Sequence, residues 1–266
     1  APAIAWALGC HWPASRPYRL RRWLLAYLCL VTHALLDGLT VYGTQLLWPL
    51  PLTPTTWSAL FIIDPAYTIL LLVGVAGALW VVPSRQSRWN QAGLTLSSGY
   101  ILLAVAAKLH VDGIAQASLE ESAPGSHFIS MATPFNTLLW RVVAIDEERY
   151  YEGYYSLLDR NRRISFTPYV NNHALLDDIA GEETVRRLHW FSKGFYGVKR
   201  QGAALNVFDL RMGFEPAYVF GFAVAEIRDG KTVAIASRRL DGSPDIMKTG
   251  WVWRRIWDES LAPPHL

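Results

Sequence analysis

Apolar positions along the chain fall into two regimes. Up to about residue 110 they form long, nearly unbroken runs. Trp23–Trp48 is interrupted only by the titratable His33 and Asp37, Ser58–Val82 only by Asp64, and Ala92–Leu109 only by Lys108. Each run is near the ~20 residues needed to cross the hydrocarbon core of a bilayer, where a lone backbone can satisfy its polar groups only as a helix. Three full spans are therefore predicted. Trp23, Trp48, Trp57, Trp80 and Trp89 sit at or just outside the ends of these runs, where amphipathic rings favour the membrane interface. The apolar stretch Ala1–Cys10 is too short to cross. It reads as the tail of a helix that begins upstream, or as a helix lying on the surface.

From about Pro124 the texture changes to short runs rich in β-branched and aromatic residues, separated by turn signals. Leu138–Ile145, Tyr151–Leu157, Gly194–Lys199, Leu205–Leu210, Tyr218–Ile227 and Val233–Ser237 read as strands. Leu175–Ile179 and Glu182–Trp190 read as helices. Asn171–Asn172, Arg228–Gly230 and Asp241–Gly242 read as turns. The expected fold is an α-helical membrane bundle of three full spans plus a partial one, followed by a soluble, mainly antiparallel α+β domain. Its boundaries are 1–111 for the helical part, 112–123 for a linker and 124–266 for the α+β domain.

Charge sharpens this division. Up to Val111 there are nine charged side chains, and the rest of the chain carries eighteen basic and twenty acidic ones, so the formal net charge of +3 averages two unlike halves. That distribution excludes a disordered chain and a basic nucleic-acid-binding domain, so no nucleic-acid partner is expected. The two cysteines, Cys10 and Cys29, lie in apolar runs without disulfide-scaffold or zinc-knuckle spacing. Arg16, Arg19, Arg21 and Arg22 precede the first full run, and Arg85 and Arg88 separate the second from the third. By the positive-inside rule both clusters face the cytoplasm, which puts the C-terminal domain on the extracytoplasmic side of a multi-pass protein of the bacterial inner membrane.

The first full run carries the sharpest chemical signal. At 100° per residue, His33, Asp37, Thr40 and Thr44 would share one face of a helix, a polar stripe on an apolar cylinder. A His and an Asp at i and i+4 can ligate one metal ion, and ionisable groups inside a span are costly enough that function is the default reading. The alternative is a polar contact between packed helices. Asp64, in F-I-I-D-P-A-Y-T, is the second candidate. It is read either as a third ligand or proton acceptor, or as an N-cap, because Asp-Pro is a common helix start. Lys108 reads as a snorkelling lysine, and His127, His173 and His189 as isolated. Nucleophile-elbow, P-loop, H-E-x-x-H and dinucleotide-binding patterns are absent from the sequence.

The run T-H-A-L-L-D-G-L-T-V-Y-G-T-Q-L-L-W-P, followed by F-I-I-D-P-A-Y-T, resembles the YdjM-type family of inner-membrane, metal-dependent hydrolases, whose members are also described as LexA-binding. The likeness continues through Thr133–Ala144, Gly153–Asp159, Arg187–Tyr196 and Asp209–Gly213, as in a long form with an appended soluble domain. The family in turn resembles zinc-dependent phospholipase C in its helix-borne His and Asp ligands. A second His-bearing motif, H-R-G-x-T-H-S, precedes the equivalent of Ala1 in that family, so the chain reads as N-terminally truncated. The resemblance implies His33 and Asp37 as metal ligands, with Asp64 as a further ligand or catalytic group. The mixed N/O donor set suits zinc, with manganese as the alternative. The function expected is hydrolysis of an ester or phosphoester near the membrane surface, with the lipid bilayer as partner and a lipid or headgroup as substrate. The competing expectation is a non-enzymatic membrane protein whose outer domain binds a partner or envelope component.

Overall fold

The computed structural model describes residues 19–50, 52–80, 83–240 and 249–263. The expected helical tail Ala1–Cys10, Arg16 and the Asp241–Gly242 turn lie outside these residues. The chain forms two compact units, residues 1–57 and 58–266.

In the first unit, α1 (Arg19–Gly38) starts among arginines and stops well before Trp48, the end of the expected span. Beyond Gly38 the chain turns. The Thr40 hydroxyl donates to the Asp37 carbonyl at 2.8 Å, Gly43 takes a positive φ of 72°, and Thr44 and Thr55 form an isolated antiparallel bridge. The Trp57 N–H then returns to the Gly38 carbonyl at 2.8 Å. Trp23–Trp48 is therefore not one helix. Its C-terminal third is rich in threonine and glycine, and the backbone there satisfies itself through turns.

The second unit opens with an irregular stretch in which Ser58 has a positive φ of 53°. It then forms α2 (Pro65–Trp80) and α3 (Pro83–Ser122). At 1.5 Å per residue the 16 residues of α2 reach about 24 Å, short of the ~30 Å hydrocarbon core. Pro65 explains the late start, since its fixed φ and missing N–H suit a first helical position and not an interior one. Among the described residues only one helix, α3 from Arg85 to Ser122, is long and apolar enough to cross a membrane. The expectation of three full spans is thus corrected to one candidate span accompanied by a shorter apolar helix. The two helices approach closely through glycine. A Cβ added to Gly74 would lie 2.8 Å from the Gly93 Cα, and one added to Gly93 would lie 2.8 Å from the Gly74 Cα. Small residues admit such backbone contact in membrane helix pairs. Large apolar side chains on both helices, including Leu72, Leu79, Leu102 and Leu103, face outward.

The C-terminal part of α3 has a different environment. Residues 112–123, expected as a linker, continue the same helix through Ser122. Ala107, Val111, Ile114 and Ala115 pack on Ala132, Trp140, Val142 and Tyr155 of the first sheet. That sheet runs β1 (His127–Ala132), β2 (Leu139–Ile145), β3 (Arg149–Ser156), β4 (Phe166–Val170), all neighbours antiparallel. Every residue of β2 is buried, as its apolar run requires. A 3₁₀ helix (His173–Ile179) and α4 (Glu183–Ser192) lead to the second antiparallel sheet. This is formed by β5 (Tyr196–Gln201), β6 (Ala204–Asp209), β9 (Gly221–Arg228) and β10 (Lys231–Arg239), in the order β10-β9-β6-β5. Its core joins Val198, Leu205, Val207 and Val224 to Leu176, Ile179 and Val185. The β9–β10 loop is Asp229–Gly230, both at positive φ, the two-residue hairpin geometry that such a pair favours. A short ribbon, β7 (Gly213–Phe214) with β8 (Ala217–Tyr218), and α5 (Thr249–Trp257) complete the unit; α5 sets Trp251, Val252 and Ile256 against Leu139.

Candidate functional site

His33 and Asp37 lie one turn apart on α1, and helical periodicity turns both side chains to the same face. The His33 Nε2 is 3.5 Å from the Asp37 Oδ2, with 76% and 47% of the two side chains exposed. Each is the other's only side-chain partner among the described residues. Two ligands about 2.1 Å from a tetrahedral ion stand about 3.4 Å apart, and 3.5 Å is equally the spacing of an ordinary i, i+4 His–Asp contact. An imidazole nitrogen and a carboxylate oxygen are also the donors zinc accepts, so as two members of a ligand shell they fit. Thr40 and Thr44 do not extend the stripe, because the helix ends at Gly38 and both threonines belong to the turn that follows. No group of three or more His, Cys, Asp or Glu converges among the described residues.

Asp64 belongs to the second unit and is 4% exposed. Its Oδ1 accepts the Ala66 N–H at 3.0 Å and the Tyr67 N–H at 3.2 Å, a helix N-cap that serves the unpaired donors of the first turn of α2. Its Oδ2 accepts the Tyr100 hydroxyl of α3 at 2.9 Å, and that hydroxyl lies 2.9 Å from the Thr137 Oγ1 in the β1–β2 loop. Phe61 meets Phe135 of the same loop edge-on, with centroids 5.6 Å apart. Both carboxylate oxygens thus carry donors, and Asp64 ties the start of α2 through α3 to the first sheet.

Sequence reasoning missed a buried polar network between the strands. The Arg141 Nε pairs with Glu152, both side chains being 4% exposed, and the Arg141 Nη1 donates to the Leu210 carbonyl at 2.7 Å. The second Glu152 oxygen accepts the Glu215 N–H at 3.1 Å, and Tyr154 donates to the first at 2.9 Å. Glu215 in turn receives Tyr150 and Lys199. Burial works to lower the Arg141 guanidinium, and the Glu152 charge beside it more than reverses that. Burial, and then the hydrogen bond to Glu215, pushes the Tyr150 phenol well above its ordinary range. The sequence signal was Arg141 alone, a charge set within the otherwise apolar run Leu138–Ile145.

The remaining candidates have structural partners. Lys108 donates to Asp112 at 2.8 Å and to the Ser130 hydroxyl at 2.8 Å, in place of reaching for an interface. His127 is exposed at the start of β1. His173 and His189 flank the Tyr196 ring, with centroids 4.3 and 5.8 Å away. The His173 Nε2 lies 2.8 Å from the Tyr196 carbonyl oxygen and 3.0 Å from the Asn171 Nδ2. Burial lowers the His173 pKa below its ordinary 6.5.

With this geometry in place, comparison with known proteins is brief. Residues 1–111 match the family model described as YdjM inner membrane protein. The match takes in the runs that carry His33, Asp37 and Asp64, while the quoted runs from Thr133 onward lie beyond it. No curated protein and no solved structure matches the chain.

Proposed function

We propose that this chain, whose residues 1–111 match the family model described as YdjM inner membrane protein, is a membrane-bound, metal-dependent hydrolase of esters or phosphoesters at the membrane surface. The observation that carries the reading is the His33–Asp37 pair, two metal-type donors 3.5 Å apart on an apolar helix, exposed and without other side-chain partners among the described residues. A neutral His33 would offer its Nε2, and Asp37 one carboxylate oxygen. The two would supply part of the three-ligand shell of a catalytic zinc, and no third His, Cys, Asp or Glu joins them among the described residues. When bound, such an ion lowers the pKa of a coordinated water toward neutrality and so provides hydroxide for attack on an ester or phosphoester. Within this reading Asp64 acts as a cap and a strut, since its lone pairs serve Ala66, Tyr67 and Tyr100. The Arg85 and Arg88 cluster at the start of the candidate span supports an extracytoplasmic position for the C-terminal domain.

Metal analysis of the full chain, purified from membranes, tests the site. We expect about one zinc or manganese per chain, at least tenfold less in His33→Ala and Asp37→Asn, and a parallel fall in hydrolysis of bis(p-nitrophenyl) phosphate or p-nitrophenyl acetate. Metal-free protein, or metal content indifferent to both substitutions, would leave the pair as an i, i+4 contact within α1. It would then favour a non-enzymatic membrane protein whose outer domain binds a partner.

A further inference from the structure

The second sheet carries a cleft of about 460 Å³ between α4 and strands β6 and β9, within the size range of small-molecule sites. Trp190, Phe191, Phe220 and Phe222 give it an aromatic lining, and Thr184 and Ser237 add hydroxyls. Phe191 and Phe220 meet edge-on with centroids 6.4 Å apart. The single acid in the lining, Asp209, is already neutralised. Arg211 grips it with Nε at 2.9 Å and Nη2 at 2.6 Å, both side chains being almost wholly buried, and the same guanidinium lies over the Phe191 ring at 5.0 Å. That pair holds one aromatic wall in position and leaves no free anion in the cleft. One exposed cation lies in its lining and a second beside it. Arg187 lines the cleft from α4, and Arg239 lies over the Phe220 ring at 5.4 Å. Neither has an ion-pair partner among the described residues.

We propose that this cleft binds a single-chain anionic amphiphile, its apolar chain between the aromatic rings and its phosphate or carboxylate met by Arg187 and Arg239. The charge complementarity is one-sided: the only lining carboxylate is paired, and neither guanidinium group has a carboxylate partner among the described residues. A sugar would be served by free carboxylate or amide acceptors beside the rings, and Asp209 cannot provide one while Arg211 holds it. The apolar outer surface of α2 and α3, in the same unit, brings the domain to a bilayer, where such amphiphiles are found. This inference is independent of the His33–Asp37 site, and each can fail alone.

Titration calorimetry on the full chain in zwitterionic nanodiscs, with empty discs as blank, tests it using n-octyl phosphate, n-octanol and inorganic phosphate. One saturable site per chain is expected for octyl phosphate, at least tenfold tighter than for either of the other two. Arg187→Gln with Arg239→Gln, both at exposed positions, should abolish the preference over octanol. Phe191→Ala should weaken both alkyl ligands, with far-UV circular dichroism confirming an intact β domain. Octanol or inorganic phosphate binding as tightly as octyl phosphate would overturn the proposal, and so would unchanged affinity in the double arginine variant.

Discussion

Replacing Asp64 separates a structural carboxylate from a catalytic one. Asp64→Ala removes two N-cap hydrogen bonds to Ala66 and Tyr67, a loss that typically costs about 1 kcal/mol. It also removes the acceptor of the Tyr100 hydroxyl in a part-buried position, worth about 1–3 kcal/mol when a donor is left with weaker alternatives. Tyr100 keeps Thr137 at 2.9 Å, which places the combined cost of about 2–4 kcal/mol in its lower half, about 2–3 kcal/mol. Asp64→Asn behaves differently. Its carbonyl oxygen can occupy the Oδ1 position and keep the cap, and its amide can donate to Tyr100 while that hydroxyl donates to Thr137. The expected cost is under about 1 kcal/mol. Denaturant unfolding followed by near-UV circular dichroism in detergent should rank the proteins as wild type, then Asp64→Asn closely behind, then Asp64→Ala. Metal content should be the same in wild type and Asp64→Asn. An asparagine variant of near-native stability that has lost its metal would refute the assignment, because only a ligand requires the charge that a cap can do without.

Three further outcomes follow from the geometry. Glu152→Gln should destabilise the β domain by about 3 kcal/mol or more, since it strands the buried Arg141 guanidinium, and a shift in the thermal transition would show it. His173 has a folded pKa depressed below 6.5 by burial, so the stability it confers is complete above pH 6.5 and is lost as pH falls through the folded value. Unfolding midpoints measured from pH 7.5 down to 5 should therefore fall more steeply for the wild type than for His173→Gln, and parallel curves would contradict the assigned cause. A reporter fused after Leu266 that is active only in the cytoplasm should be silent, and a strong signal would reverse the orientation read from the arginine clusters.

The β part was legible where alternation or a continuous apolar run marks a buried face, as in Leu139–Ile145 and Ala204–Asp209. It was obscure at the margins. Phe166–Val170 contains Pro168, which argues against a central strand, and β4 is indeed an edge of its sheet. The helix Thr249–Trp257 shows its apolar face only once Trp251, Val252 and Ile256 are seen to pack on Leu139. Apolar length misled in the first half, because run length counts residues and not their backbone state. Gly38 and Pro65 are local punctuation, and each moved a helix boundary well inside an apolar run. For the candidate site, the i, i+4 spacing of His33 and Asp37 was readable directly. The capping bonds of Asp64 were readable from its Asp-Pro setting, but its contact with Tyr100, 36 residues away, was not. Arg141 could be noticed but not interpreted, since Glu152 reaches it only through strand pairing.

The unbroken course of α3 has a mechanical meaning. Forty residues make a rod about 60 Å long, twice the depth of a hydrocarbon core. One end of the rod is set in the α2 pair through Gly74 and Gly93, and the other in the first sheet through Val111 and Ala115. With no flexible joint between them, the β domain cannot swivel independently of the helix and works as the load on a lever. A tilt of about 20°, ordinary for spanning helices, would sweep the far end sideways by roughly 20 Å. Any change in bilayer thickness or helix pairing that alters the tilt would therefore be delivered to the β domain as a displacement of that order.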